Sequence, residues 1–160
     1  MLGKGTLHVD SVVDNFTAIY KGSQYTLPGQ EKVATGYFVV LPDAVGGQGV
    51  ALFVNGQGIS AVDLNGENFE QIVSEEGPGQ FESAISLGGN HFAVAYGKGG
   101  VRVYSVSSDR TVKLEGELNK NSPGLAECDI TDIAYDNNRK ILFVLNRATG
   151  VLSLQLSFGV

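Results

Sequence analysis

The residue types that most often carry chemistry are thinly spread along this chain. His8, His91 and Cys128 are its only histidines and its only cysteine, and they lie far apart. General acid–base catalysis needs titratable groups held at one site, and zinc needs ligands at short, regular spacing. His8 falls in an alternating run and reads as a strand residue. His91 follows Gly88-Gly89-Asn90 and reads as a residue at a sheet rim. Gly97-Lys98-Gly99-Gly100 lacks the Gly-Lys-Ser/Thr of a phosphate loop, and no helical pattern follows it. Gly56-Gln57-Gly58 lacks the third glycine of a dinucleotide fingerprint. Both glycine clusters read as hairpin turns. No Gly-x-Ser-x-Gly elbow is present. Asp63-Leu64-Asn65-Gly66-Glu67-Asn68 gathers oxygen atoms without the spacing or the closing glutamate of a calcium loop. The sequence therefore assigns no catalytic, cofactor-binding or metal-binding residue.

Acidic residues thicken twice, at Glu67, Glu70, Glu75, Glu76 and Glu82, and again at Glu115, Glu117, Glu127, Asp129 and Asp132. Paired carboxylates can serve a glycosidase or a metal, but a solvated face is the simpler reading. Tyr20, Tyr25, Tyr37, Tyr96, Tyr104 and Tyr135 are scattered rather than striped, and most are expected to pack between sheets.

Composition narrows the partners. The net charge is −6, and no basic cluster exceeds the pair Arg139-Lys140. Nucleic acid needs a basic surface that releases counterions, so none is expected as a partner. No apolar stretch approaches the about 18 residues of a membrane helix, so no membrane insertion is expected. A lone cysteine excludes an internal disulfide and leans towards a reducing, intracellular setting. The start, Met1-Leu-Gly-Lys-Gly5, lacks the apolar core of a signal peptide. Asn15-Phe16-Thr17 is a glycosylation sequon and pulls the other way.

What must position any site is a set of strands. Residues 160 in number and 42% apolar make one domain with a real core. The 22 glycines are about twice the usual share and fall mostly between apolar runs. Thr6–Leu27 alternates as three short strands and ends at Pro28-Gly29. Tyr37–Leu41 is a wholly apolar run, expected to be buried on both faces. Val50–Val54, Ile59–Leu64 and Phe69–Val73 follow it. Phe81–Leu87, Phe92–Tyr96, Val101–Val106 and Thr111–Leu118 repeat that order. A polar loop, Asn119–Glu127, precedes Ile130–Tyr135, Ile141–Leu145 and Val151–Phe158. No amphipathic helix is found.

One pattern recurs three times: an apolar run, a turn anchored by glycine, and an alternating run. The anchors Gly58, Gly100 and Gly150 stand 42 and then 50 residues apart. The stretch Asp129–Leu156, with its Asp136-Asn137 turn and its Asn146-x-x-x-Gly150 turn, resembles a blade of the YVTN-like and WD-repeat-like β-propellers. The resemblance covers residues 36–158. It lacks two marks: no Trp-Asp dipeptide closes a blade, and no Gly-His pair opens one. It implies an all-β, antiparallel fold of four-stranded blades, with a β-sandwich or barrel as the alternative. The expected blades are residues 1–30 in part, 36–74, 81–118, and 129–158 in part. That is about three and a half blades, whereas closed rings have four to eight. Open strand edges and apolar sheet faces would need cover.

Three functions fit this reading. The first is a non-catalytic scaffold for protein–protein interaction, within a larger propeller or assembly. The second is a self-assembling ring that binds small ligands or glycans, as lectins do. The third is a fragment of a propeller enzyme. The lack of chemical motifs favours the first, with a protein partner, further blades or a second copy completing the fold.

Overall fold

The computed structural model describes residues 4–5, 22–23, 36–55, 58–63, 80–109 and 111–157. All regular elements among them are strands. β1 (Lys4–Gly5) and β2 (Gly22–Ser23) pair only with each other. The remaining strands form three antiparallel sheets of consecutive strands. The first holds β3 (Tyr37–Leu41), β4 (Val50–Asn55) and β5 (Gly58–Asp63). The middle holds β6 (Ser83–Gly88), β7 (His91–Ala95), β8 (Val101–Val106) and β9 (Val112–Leu118). The last holds β10 (Ile130–Asp136), β11 (Ile141–Asn146) and β12 (Gly150–Gln155). Within each sheet every connection is a hairpin, as the turn residues demand. The expected strands at Thr6–Leu27 and Phe69–Val73 lie outside the described residues. So do the Asn15 sequon, His8 and the loop after Asp63.

The sheets stack, and period-two alternation decides what each face buries. In the middle sheet the even residues Phe92, Val94, Tyr96, Tyr104 and Val106 turn to one side. There they meet Val39, Leu41, Leu52, Val54 and Ile59 of the first sheet. The odd residues Ala93, Ala95, Val101 and Val103 turn to the other side, against Ile130, Ile133, Leu142 and Val144 of the last sheet. The middle sheet is therefore apolar on both faces because both are covered. Its first strand, β6, touches the first strands of the other two sheets, β3 and β10.

Two connections pin the stack. Gly97 and Ile130 exchange backbone hydrogen bonds of 3.0 and 2.9 Å, tying the β7–β8 turn to the start of β10. That turn closes through Tyr96 N–H to Gly100 O at 2.8 Å. Gly97-Lys98-Gly99-Gly100 is thus the hairpin turn expected. Gly100 has φ +95°, and a Cβ there would strike the backbone of Leu118, so only glycine lets β9 close on β8. The polar loop before β10 also contributes to packing. Leu125 leaves it to plug the core between the middle and last sheets and is 1% exposed.

One expectation fails. Tyr37–Leu41 is not buried on both faces: Val39 and Leu41 are buried, while Tyr37, Phe38 and Val40 are exposed. β3 is an edge strand, and its outward face does not meet the neighbouring sheet. Phe38 packs instead against Phe53 across the ladder, the rings tilted and their centres 5.1 Å apart.

Candidate binding groove and uncovered faces

A groove of about 700 Å³ opens between the outer strands of the middle and last sheets. Three physical facts place it there. Among the described residues β9 has no fourth strand opposite it in the last sheet. The odd face of β8 supplies Val101 and Val103 as one wall, and Leu142, Leu154 and Leu156 supply the other. A bulge in β9 adds Glu115 to the strand, since Tyr104 pairs with Leu114 while Val103 pairs with Gly116. The result is an aliphatic floor with a polar margin of His91, Glu115, Glu117, Gln155 and Ser157.

His91, Ser105 and Glu115 sit side by side on β7, β8 and β9. His91 pairs with Ser105 across the ladder, and Ser105 Oγ donates to Glu115 Oε1 at 2.6 Å. This is not a nucleophile–base–acid relay. In such a relay the serine proton goes to the imidazole, whereas here the hydroxyl donates to the carboxylate. The same hydrogen bond holds the Glu115 carboxyl below its usual range, opposed by slight desolvation and helped by Lys113 and His91. Glu115 is therefore an anion at neutral pH, suited to holding a cation rather than donating a proton. Glu117 lies 3.5 Å from Arg102 Nε.

Arg102 faces the first sheet, where its guanidinium carbon lies 4.0 Å from the Tyr96 ring centre. Its Nη1 donates to Tyr104 Oη at 3.5 Å. Burial pushes the Tyr104 hydroxyl pKa up, against the lowering effect of Arg102. Tyr96 and Tyr104 are thus packed between sheets, as expected. Sequence reasoning missed Arg102, because a charge at an inward position shows no signal until a ring lies beneath it.

Asn146 was missed as well, and it carried a signal. It precedes a tight turn that Gly150 closes. The side chain is buried and clasps the strand entry. Oδ1 accepts the N–H of Asp129 at 3.0 Å and of Ala148 at 3.2 Å, while Nδ2 donates to Glu127 O at 2.7 Å. Cys128 stands beside this clasp, its Sγ 3.7 Å from Gly97 O. Burial raises its thiol pKa, and Asp129 raises it further, so it stays protonated at neutral pH. Among the described residues no three His, Cys, Asp or Glu side chains gather as metal ligands.

The second surface is the outward face of the last sheet. Phe143, Leu145 and Val151 are 41%, 43% and 72% exposed, while Leu142 and Val144 on the same strand, β11, are fully buried. Register places Asp132, Leu145 and Val151 in one row and Ala134, Phe143 and Ser153 in the next. A shallow hollow of about 170 Å³ runs along these rows. At the row's inner end Asp132 accepts a hydrogen bond from Ser83 of the middle sheet at 3.1 Å. The outward face of the first sheet, at Phe38 and Val40, is also apolar and exposed.

No protein-family profile matches the chain, and no curated protein matches it. Solved structures do. One similar chain belongs to the structure of ctPRC2 in complex with H3K27me3 and H3K27M, with a TM-score of 0.53 and 12% identity over 79% of this chain. Another belongs to a humanized mutant of the Chaetomium thermophilum Polycomb Repressive Complex 2 bound to the inhibitor GSK126, with a TM-score of 0.54 and 10% identity over 96% of this chain. The chain spans only 27% and 38% of the lengths of those two chains. At such identities the likeness concerns the fold.

Proposed function

We propose that this chain is a run of β-propeller blades that serves as a non-catalytic scaffold for protein–protein interaction. The three stacked sheets are its blades, and their first strands lie along the inner side. The observation that carries this reading is the contrast within β11. Its inward residues lie in a shared core, while Phe143 and Leu145 present an equally apolar face to solvent. A contiguous apolar face of this kind marks an interaction surface. Stacking further sheets on it, and on Phe38 and Val40 at the other end, would repeat the packing already made twice within the chain. The similar solved chains are longer and come from a multi-component assembly, which is in keeping with a scaffold role.

Light scattering on the purified chain across a concentration series tests this. A discrete, concentration-dependent larger species that Leu145→Lys returns to monomer supports the reading. A monomer that stays soluble and unfolds cooperatively at every concentration, with Leu145→Lys unchanged, would sink it. Closed rings of copies and completion by further blades both require the Leu145 face.

A further inference from the structure

Among the described residues the middle sheet has four strands and the last has three, so β9 overhangs β12 across the groove. Among the described residues β12 pairs with β11 alone. Leu156 donates its N–H to Lys140 O at 2.8 Å, towards β11. Alternation then aims the backbone groups of Val151, Ser153 and Gln155 at the open edge. Natural edges are usually blunted by a charge, a proline or a bulge. β12 reads Gly-Val-Leu-Ser-Leu-Gln, has none of these, and keeps an unbroken register with β11.

The geometry points to strand addition: β12 takes a fourth strand from a protein partner whose aliphatic side chains fill the groove and whose lysines or arginines lie along its acidic rim. Four features define the occupant. The edge, unpaired among the described residues, demands extended backbone. The floor at Val103, Leu118 and Leu154 demands aliphatic side chains at alternate positions. The rim carries the Glu115 carboxylate, while Glu117 pairs with Arg102 on the other face of the sheet, and neither lysine nor arginine lines the groove. The net charge of −6 adds to the attraction for a basic segment. The chain's own Leu7–Val13 alternates suitably but offers Asp10 and no lysine or arginine, so it suits the floor and not the rim. This inference deepens the scaffold reading but uses a different surface from the Leu145 face. Mass measurements test one and peptide binding the other.

The experiment titrates the full chain into a fluorescein-labelled heptapeptide alternating lysine and valine, and into its glutamate–valine counterpart, followed by anisotropy. The lysine peptide is expected to saturate, and the glutamate peptide to bind at least about tenfold more weakly. Ser153→Pro removes one outward N–H at an edge where proline is tolerated, and is expected to weaken the lysine peptide about tenfold. Glu115→Lys, at an exposed position, is expected to shrink the preference between the peptides, which keeps the test decisive if the proline variant misfolds. No saturation up to about 1 mM, equal affinity for both peptides, or no change in Glu115→Lys would each overturn the inference. So would displacement at equal affinity by a peptide copying residues 6–13, which would assign the edge to the chain's own segment.

Discussion

The two cores on either side of the middle sheet are built from the same strands and behave differently. The core facing the first sheet is rich in aromatic rings. Phe81 and Tyr96 lie 4.9 Å apart, and Phe92 and Tyr104 stack at 5.3 Å, with the Arg102 guanidinium over Tyr96. The core facing the last sheet is aliphatic, is plugged by a loop leucine and opens into the groove. Stacked rings fill the space between two sheets with few side chains, whereas the aliphatic core is built from many smaller ones. The difference teaches that the two faces of one sheet can be filled in two ways, by stacked rings on one side and by branched aliphatic side chains beside a groove on the other.

The largest effect should come from the aromatic core. Tyr96→Ala removes a fully buried ring and the platform beneath Arg102, and is expected to cost about 3–5 kcal/mol. Urea denaturation should show a single transition moved to lower urea. If the variant instead lost less than Leu125→Ala, the ranking of the two cores would be wrong. Leu125→Ala is expected to cost about 2–4 kcal/mol, because the loop can partly collapse into the space. Its signature should be local. Hydrogen exchange should quicken in β10–β12 while β4 and β7 keep their protection.

Asn146→Ala comes next, at about 1–3 kcal/mol. The mechanism is distinct, since it orphans the Asp129 N–H and the Glu127 carbonyl rather than opening a cavity. Asn146→Asp is the sharper variant: it keeps the acceptor and loses the donor, so it should fall between the wild type and the alanine variant in thermal melts.

How much of this was legible in the sequence differs between the cores for a physical reason. Val101–Val106 alternates cleanly and is a strand over those same residues. The glycine anchors at 100 and 150 marked real turns, since each adopts positive φ. The hydrophobic pattern cannot tell a covered face from an uncovered one, so Tyr37–Leu41 read as wholly buried while three of its five residues are exposed. The groove was invisible for a related reason. It depends on how many strands each sheet has, a property of the stack rather than of any segment. Leu125 was hidden in a polar loop, where a single leucine has no periodic partner.

Alkaline pH separates the cores more finely. Burial raises the Tyr104 pKa above its ordinary value of 10.0, so the folded state favours the neutral hydroxyl. The sign follows from linkage: this stability is whole below pH about 10 and is lost as pH rises, because the unfolded chain ionises first. Tyr135, in the open core, is shifted the same way by burial and by Asp136, and its hydroxyl is buried with no hydrogen-bond partner. Tyr104→Phe should flatten the fall in stability above pH about 10 more than Tyr135→Phe does. An equal effect would mean that the second core excludes water as well as the first.

The smallest effect belongs to the turn at the tip of the open core. Asp136 accepts the N–H groups of Asn138 and Arg139 at 3.0 Å each and pairs with the Arg139 guanidinium at 2.9 Å. These contacts, led by the Arg139 backbone N–H, hold its carboxyl below the usual 3.8. A depressed carboxyl contributes stability above its unfolded pKa, and that contribution fades as pH falls through the folded value. Asp136→Ala should therefore weaken the chain slightly at pH 7 and leave it nearly level with the wild type under strong acid. The turn governs the register of β10 on β11, and that register sets Phe143 and Leu145 in the outward rows. A loss of assembly in Asp136→Ala at pH 7, with the fold retained, would show that the turn shapes the partner face as well as closing the hairpin.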